Sequence, residues 1–246
     1  MNSFAEWFGI LRSRIIYDFK PFNQLKMARF YREFVHPGDV CFDIGAHTGN
    51  RTSTLLKIGA KVLAVEPNPE LSKLLNRKFS GNPNFSLSTD AIGSKKGSAK
   101  FMISLKYPTI STLSHQWKDV MLSYQSDLKW EKEQLVNLTT LDELIKSYGV
   151  PSFCKIDVEG FEEEALLGLT IPLKALSFEF FPTTSARTIA CIKQLSSLGN
   201  YRFNWSLTET FKFVSKEWYL EQQMIRAIEN YQGRKSGDIY AVLQNA

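Results

Sequence analysis

Val40-Cys41-Phe42-Asp43-Ile44-Gly45-Ala46-His47-Thr48-Gly49 decides how the chain is read. The first five residues are an apolar strand with one carboxylate near its end. A glycine-bearing turn follows, and Arg51 to Ile58 then reads as a helix that stops before Gly59. A strand, a glycine turn and a helix make half of a βαβ unit, and such units build parallel sheets with helices on both faces.

The pattern repeats outward from there. Lys61 to Glu66 is the next strand, and Pro67-Asn68-Pro69 opens a helix over Glu70 to Phe79. Asn68 suits the N-cap and Pro69 the first helical position. A third strand is expected over Phe85 to Ile92, ending at Asp90-Ala91, and a short strand over Ala99 to Ile103. Residues 104–137 are polar and aromatic with weak periodicity. Thr140-Leu141-Asp142-Glu143 has the form of a capping box opening a helix to Tyr148. Phe153 to Val158 and Ala175 to Phe180 read as strands, each followed by a helix: Phe161 to Leu169, then about Ser185 to Leu198. The last strands are Tyr201 to Trp205 and Asp238 to Leu243, with a polar helix of about Lys216 to Tyr231 between them. The fold class expected is α/β, a Rossmann-like, doubly wound, mostly parallel seven-stranded sheet.

The chain has 246 residues, 43% of them hydrophobic, enough for one domain with a full core. Residues 1–35 are set apart as an N-terminal helical extension, broken near Pro21, and residues 36–246 as one domain. The extension is rich in aromatic and basic residues. It is read first as a cap packed on the domain and second as a peripheral membrane contact. The formal charge of +5 permits an acidic partner without demanding one, and no nucleic acid is expected. Three cysteines, Cys41, Cys154 and Cys191, argue against a disulfide framework, and a reducing cytoplasm fits.

Ligands of such sheets bind beyond the carboxyl ends of the strands, where the strand order reverses. The turn residues Gly45, Ala46, His47, Thr48 and Gly49 let a ligand approach the backbone. Glu66 ends the next strand, with Pro67 and Asn68 behind it, where a carboxylate meets ribose hydroxyls. A nicotinamide dinucleotide calls for the tighter G-x-G-x-x-G turn. Here the spacing is Gly45-x-x-x-Gly49, with Asp43 in front. S-adenosylmethionine carries an ammonium and a sulfonium and no phosphate, so Asp43 suits it. Asp90 and Ala91 are placed to meet its adenine. Asp43 and Glu66 at the ends of apolar strands are costly to hold without a partner.

Lys155-Ile156-Asp157-Val158-Glu159 carries three charges. Strand alternation puts Lys155, Asp157 and Glu159 on one face if the strand reaches Glu159. Asp157 or Glu159 is the candidate general base, with Lys155 or His47 orienting it. Glu179, Thr112 and His115 are candidate substrate contacts. His47 and His115 each have a plainer reading, as a local hydrogen-bonding residue and an exposed loop residue. Asp157, Glu159 and Glu179 are hard oxygen donors, yet nothing in their spacing requires a metal.

Taken in order, Asp43 to Gly49, Val65 to Pro69, Thr140 to Leu144 and Lys155 to Gly160 resemble the successive signature segments of FkbM-type methyltransferases, and Gly237 to Tyr240 resembles that family's terminal strand. The resemblance implies methyl transfer from S-adenosylmethionine to a hydroxyl, often on a sugar of a glycan, glycolipid or secondary metabolite. Residues 1–35 and 104–137 match only loosely. The readings weighed against it are an RNA 2′-O-methyltransferase, a catalytically silent cofactor-binding scaffold and an NAD-dependent dehydrogenase.

Overall fold

The computed structural model describes residues 21–244. The main sheet has seven strands in the order β3-β2-β1-β7-β8-β10-β9. They are β1 (Val40–Ile44), β2 (Lys61–Val65), β3 (Phe85–Ser88), β7 (Phe153–Ile156), β8 (Ala175–Phe180), β9 (Tyr201–Leu207) and β10 (Gly237–Leu243). All pairs are parallel except those of β10, which runs antiparallel to both β8 and β9. Strand order reverses between β1 and β7, where Asp43 lies beside Lys155. This is the doubly wound, mostly parallel seven-stranded sheet expected from the sequence.

Helices cover both faces, because strands buried on both sides need apolar partners on both. On one face α1 (Pro21–Tyr31) and α2 (Asn50–Ile58) bring Met27, Phe30, Tyr31, Leu55 and Ile58 onto Cys41, Val62 and Phe153. On the other, α5 (Leu141–Tyr148), α6 (Glu162–Leu167), α7 (Ser185–Leu198) and α8 (Glu221–Glu229) bury Leu144, Leu166, Ile192 and Met224 against Phe42, Ile156 and Phe178. The capping signals act as their chemistry dictates. The Asn68 side chain accepts from the Glu70 and Leu71 N–H groups at the start of α3 (Pro69–Phe79), and Thr140 Oγ1 accepts from Glu143 N. Cys41, Cys154 and Cys191 are free and buried. No helix among the described residues is long and apolar enough to cross a membrane.

Two sequence expectations differ from the structure. The strand foreseen over Phe85 to Ile92 is two strands. A local turn, with Asp90 N donating to Ser88 Oγ at 3.3 Å, ends β3 at Ser88. Ala91–Ile92 (β4) then leaves the main sheet to pair with β6 (Lys132–Thr139). The weakly periodic stretch 104–137 is ordered. With β5 (Gly97–Ile103) antiparallel to β6 it completes a second, three-stranded sheet, β4-β6-β5. Its connection holds a 3-10 turn at Pro108–Ile110 and α4 (His115–Tyr124). This small sheet has its own core of Ala91, Phe101, Ile103, Leu105 and Val136.

Residues 1–20 of the expected extension lie outside the described residues. Of its remainder, Phe34 stacks on Tyr240 (ring centroids 5.6 Å apart) and on Phe153 (5.3 Å). Phe34→Ala therefore removes a core ring and should cost about 3–5 kcal/mol of unfolding free energy in urea denaturation. A loss below about 1 kcal/mol, the size of a surface change, would mean this segment is dispensable to the core.

Candidate active site

A cavity of about 440 Å³ opens at the carboxyl ends of β1, β2, β7 and β8, a size suited to a small-molecule ligand. The Gly45–Thr48 turn forms its floor. Gly45 has φ +81°, and a Cβ there would fall 1.8 Å from the backbone oxygen of Asp157, so only glycine permits this approach of β1 and β7.

Glu66, just past β2, is buried and accepts two backbone hydrogen bonds, from His47 N (2.8 Å) and Asn68 N (2.9 Å). Burial pushes its pKa up to about 7 despite those two donors. Asp43 is buried on β1 and accepts from Thr52 Oγ1 at 2.5 Å; burial raises its pKa too, with Thr52 opposing. The apolar lining comes from Val65, Leu71, Ala91, Ile92 and Phe101.

A second group of charges lies at the ends of β7, β8 and β10. Lys155 is fully buried, and its Nζ donates to Asp238 Oδ1 (2.8 Å) and Asp157 Oδ2 (3.2 Å). Burial alone would lower the lysine's pKa; the two carboxylates outweigh it and hold the ammonium charged. Burial would likewise raise Asp157, but Lys155 and Arg51 hold it below the ordinary carboxyl range. One carboxylate oxygen each from Asp157, Glu159 and Glu179 lie within 4.8 Å of one another. Burial and the neighbouring Asp157 charge push Glu159 and Glu179 well above the ordinary range. A carboxyl pushed toward its ionised form beside two pushed toward their protonated form can accept and relay a proton from a bound hydroxyl.

β7 ends at Ile156, so strand alternation does not align Lys155, Asp157 and Glu159 as the sequence suggested. A turn converges them instead, with Glu159 at φ +54° and Gly160 at φ +82°.

Of the residues singled out from sequence, Asp43, Gly45, Ala46, His47, Thr48, Glu66, Pro67, Ala91, Lys155, Asp157, Glu159 and Glu179 line the cavity. Five do not. Gly49 backs onto Leu75 and Phe79 of α3, and Asn68 is spent capping that helix. The turn after β3 carries Asp90 into a separate polar recess beside Lys96 and Glu143. His115 is exposed as the first residue of α4. Thr112 is buried, its hydroxyl donating to Glu159 O at 2.7 Å and accepting from Ser114 N at 2.8 Å.

The family model described as Methyltransferase FkbM domain matches residues 43–214. The chain belongs to this family. It is also similar to two curated methyltransferases. The hexuronic acid methyltransferase AglP of Haloferax volcanii is 27% identical over 155 residues, 61% of this chain and 58% of that protein. The chloroplastic ribosomal RNA small subunit methyltransferase of Arabidopsis thaliana is 39% identical over 51 residues, 21% of this chain and 15% of that protein. The matched stretches thus span less than two thirds of either relative. Among solved structures, a precorrin-6Y C5,15-methyltransferase of Geobacter metallireducens aligns at 14% identity, covering 89% of this chain and 87% of that one, with TM-score 0.46. An S-adenosylmethionine-dependent O-methyltransferase of Thermotoga maritima aligns at 15% identity, covering 92% and 66%, with TM-score 0.44.

The FkbM chain adds cavity residues that sequence reasoning missed. Asp238 opens β10 directly opposite Glu179. Its signal was available: a carboxylate at the head of an apolar strand, the argument already applied to Asp43. Arg51, which pairs with Glu209 at 3.1 Å, gave no signal, because a helical arginine most often faces solvent. Thr48 Oγ1 and Asn50 Oδ1 are buried in the cavity wall without hydrogen-bond partners, two polar groups that a bound ligand would satisfy.

The raised carboxyls set a pH dependence. Glu66 and Glu162 move from 4.5 to about 7 on folding, both by burial first. The folded state thus holds these protons more tightly. The stability they contribute is complete below pH 4.5 and is lost as pH rises through about 7. Urea denaturation without ligand should show the folded state weaker at pH 8 than at pH 5.5, by on the order of 3 kcal/mol. A flat profile would mean both groups ionise normally.

Proposed function

We propose that this chain transfers a methyl group from S-adenosylmethionine to a hydroxyl of a sugar-bearing acceptor. The observation that carries the reading is the convergence of Asp157, Glu159 and Glu179 beside Lys155, in the same cavity that Glu66 lines. Bound S-adenosylmethionine would supply an electrophilic methyl on a positively charged sulfur. Glu66 would take the ribose hydroxyls, the apolar wall of Ala91, Ile92 and Phe101 the adenine, and Asp43 with Asn50 Oδ1 the cationic amino-acid end. Asp157 would remain ionised through Lys155 and accept the hydroxyl proton, directly or through Glu159. Glu179 would fix a neighbouring hydroxyl of the acceptor. The sugar class draws support from the partial similarity to a hexuronic acid methyltransferase.

Calorimetric titration with S-adenosylhomocysteine should show binding that Glu66→Ala abolishes, with NAD as the silent control. Failure of the folded protein to bind would remove S-adenosylmethionine as the cofactor, whereas binding without turnover on any acceptor would move the scaffold reading to the front. Turnover should then be followed as S-adenosylhomocysteine release over a panel of neutral and uronic-acid glycosides. Asp157→Asn and Glu159→Gln should each lower kcat by about 10²-fold or more while the S-adenosylhomocysteine Kd stays within about threefold. Unchanged turnover in both would remove the base assignment, and methylation of RNA in place of the glycosides would replace the acceptor class.

A further inference from the structure

The turn that carries Glu159 is held in an unfavourable conformation, and what holds it comes from elsewhere in the chain. Glu159 has φ +54°, where a residue with a Cβ is strained, and Gly160 follows at φ +82°. Such a turn persists only if its surroundings over-determine it. Three contacts do so. Thr112 Oγ1 donates to the Glu159 carbonyl at 2.7 Å. Arg187 Nη1, from α7, donates to the Gly160 carbonyl at 2.8 Å. Trp117 of α4 packs so close to Gly160 that a Cβ there would come within 2.7–2.9 Å of its Cβ, Cγ and Cδ2. From below, Glu162 Oε1 accepts from Val158 N and Gly160 N.

Two of these clamps belong to the connection between β5 and β6. Thr112 sits between Ser111 and Leu113, which both line the cavity. Arg187 ties the same connection from the other side, through Ser114 Oγ at 3.3 Å and Gln116 Oε1. The wall that an acceptor would touch and the turn that presents Glu159 are therefore joined by direct hydrogen bonds.

We propose that Thr112 and Arg187 are positioning residues, through which the 108–117 segment sets the Glu159 carboxyl and makes its placement depend on the acceptor bound against Ser111 and Leu113. This rests on the reading of Glu159 as part of the acceptor site. Neither residue touches the reacting atoms. Their effect is geometric, and a displacement of about 1 Å is enough to slow a reaction by about 10²-fold.

Thr112→Val keeps the shape and removes the hydroxyl; Thr112→Ser keeps the hydroxyl. With the glycoside that the parent methylates best, the valine variant should lose about 10²-fold in kcat and shift the acid limb of its pH profile. Its S-adenosylhomocysteine Kd should stay within about threefold, which also shows it folded. The serine variant should recover kcat and the profile. A folded valine variant with the parent's kcat and pH profile overturns the proposal, as does a serine variant as slow as valine. Arg187→Met should reproduce the valine phenotype, and it replaces that variant if valine does not fold. If the parent methylates no glycoside, the proposed function fails separately. Amide exchange over 157–161 then decides the clamp: faster exchange in valine than in serine supports it, and equal exchange overturns it.

Discussion

A single ammonium group organises the catalytic end of this protein. Lys155 lies in the middle of the sheet with no access to water, and a buried charge is tolerable only when it is paired and hydrogen-bonded. Asp157 and Asp238 supply the pairing from two different strand ends. That requirement explains why β10 must enter the sheet between β8 and β9 with a carboxylate at its head. It also explains why the pKa of Asp157 is held down while burial and its charge push those of Glu159 and Glu179 up. Removing either partner would leave an uncompensated charge in the core, so the geometry around Lys155 is fixed more firmly than hydrogen bonds between neutral groups would fix it.

The cavity is built from two kinds of scaffold. Its carboxylates and the Gly45 turn stand on strand ends, positions set by the hydrogen-bonded register of the main sheet. The apolar wall of Ala91, Ile92 and Phe101 and the connection bearing Ser111 and Leu113 belong instead to the small β4-β6-β5 sheet, which has a separate apolar core. The first is rigid because every strand in it is paired on both sides. The second has its own core and can vary in sequence without disturbing that register.

The main sheet was legible in the sequence because its signals are local and reinforce one another. Apolar strand runs, a glycine turn at residues 45–49, the Asn68 and Thr140 caps and helical spacing in α3 all specify the same answer. Asp43, Glu66 and Asp157 were legible as charges at the ends of apolar runs. What escaped depends on non-local pairing. β6 has no strong alternation, since it is stabilised by two partners in a small sheet, and α4 is short with only Trp117 buried. Asp90 looked like a strand-end carboxylate until its backbone turned onto Ser88. Thr112 looked like a contact for a substrate because a hydroxyl among Thr109, Ser111 and Ser114 does not reveal that a carbonyl 47 residues later uses it.

The antiparallel entry of β10 carries a consequence for biosynthesis. Asp238 follows Lys155 by 83 residues. At ribosomal rates of about 5–20 residues per second, the lysine waits on the order of ten seconds for its second counter-charge. During that interval the parallel strands β1, β2, β7 and β8 are all available, yet closing them around Lys155 would seal in a half-compensated cation. Until Asp238 is made, Lys155 has Asp157 alone as a counter-charge, so closing the central strands around it costs a desolvation that the complete seven-stranded sheet offsets.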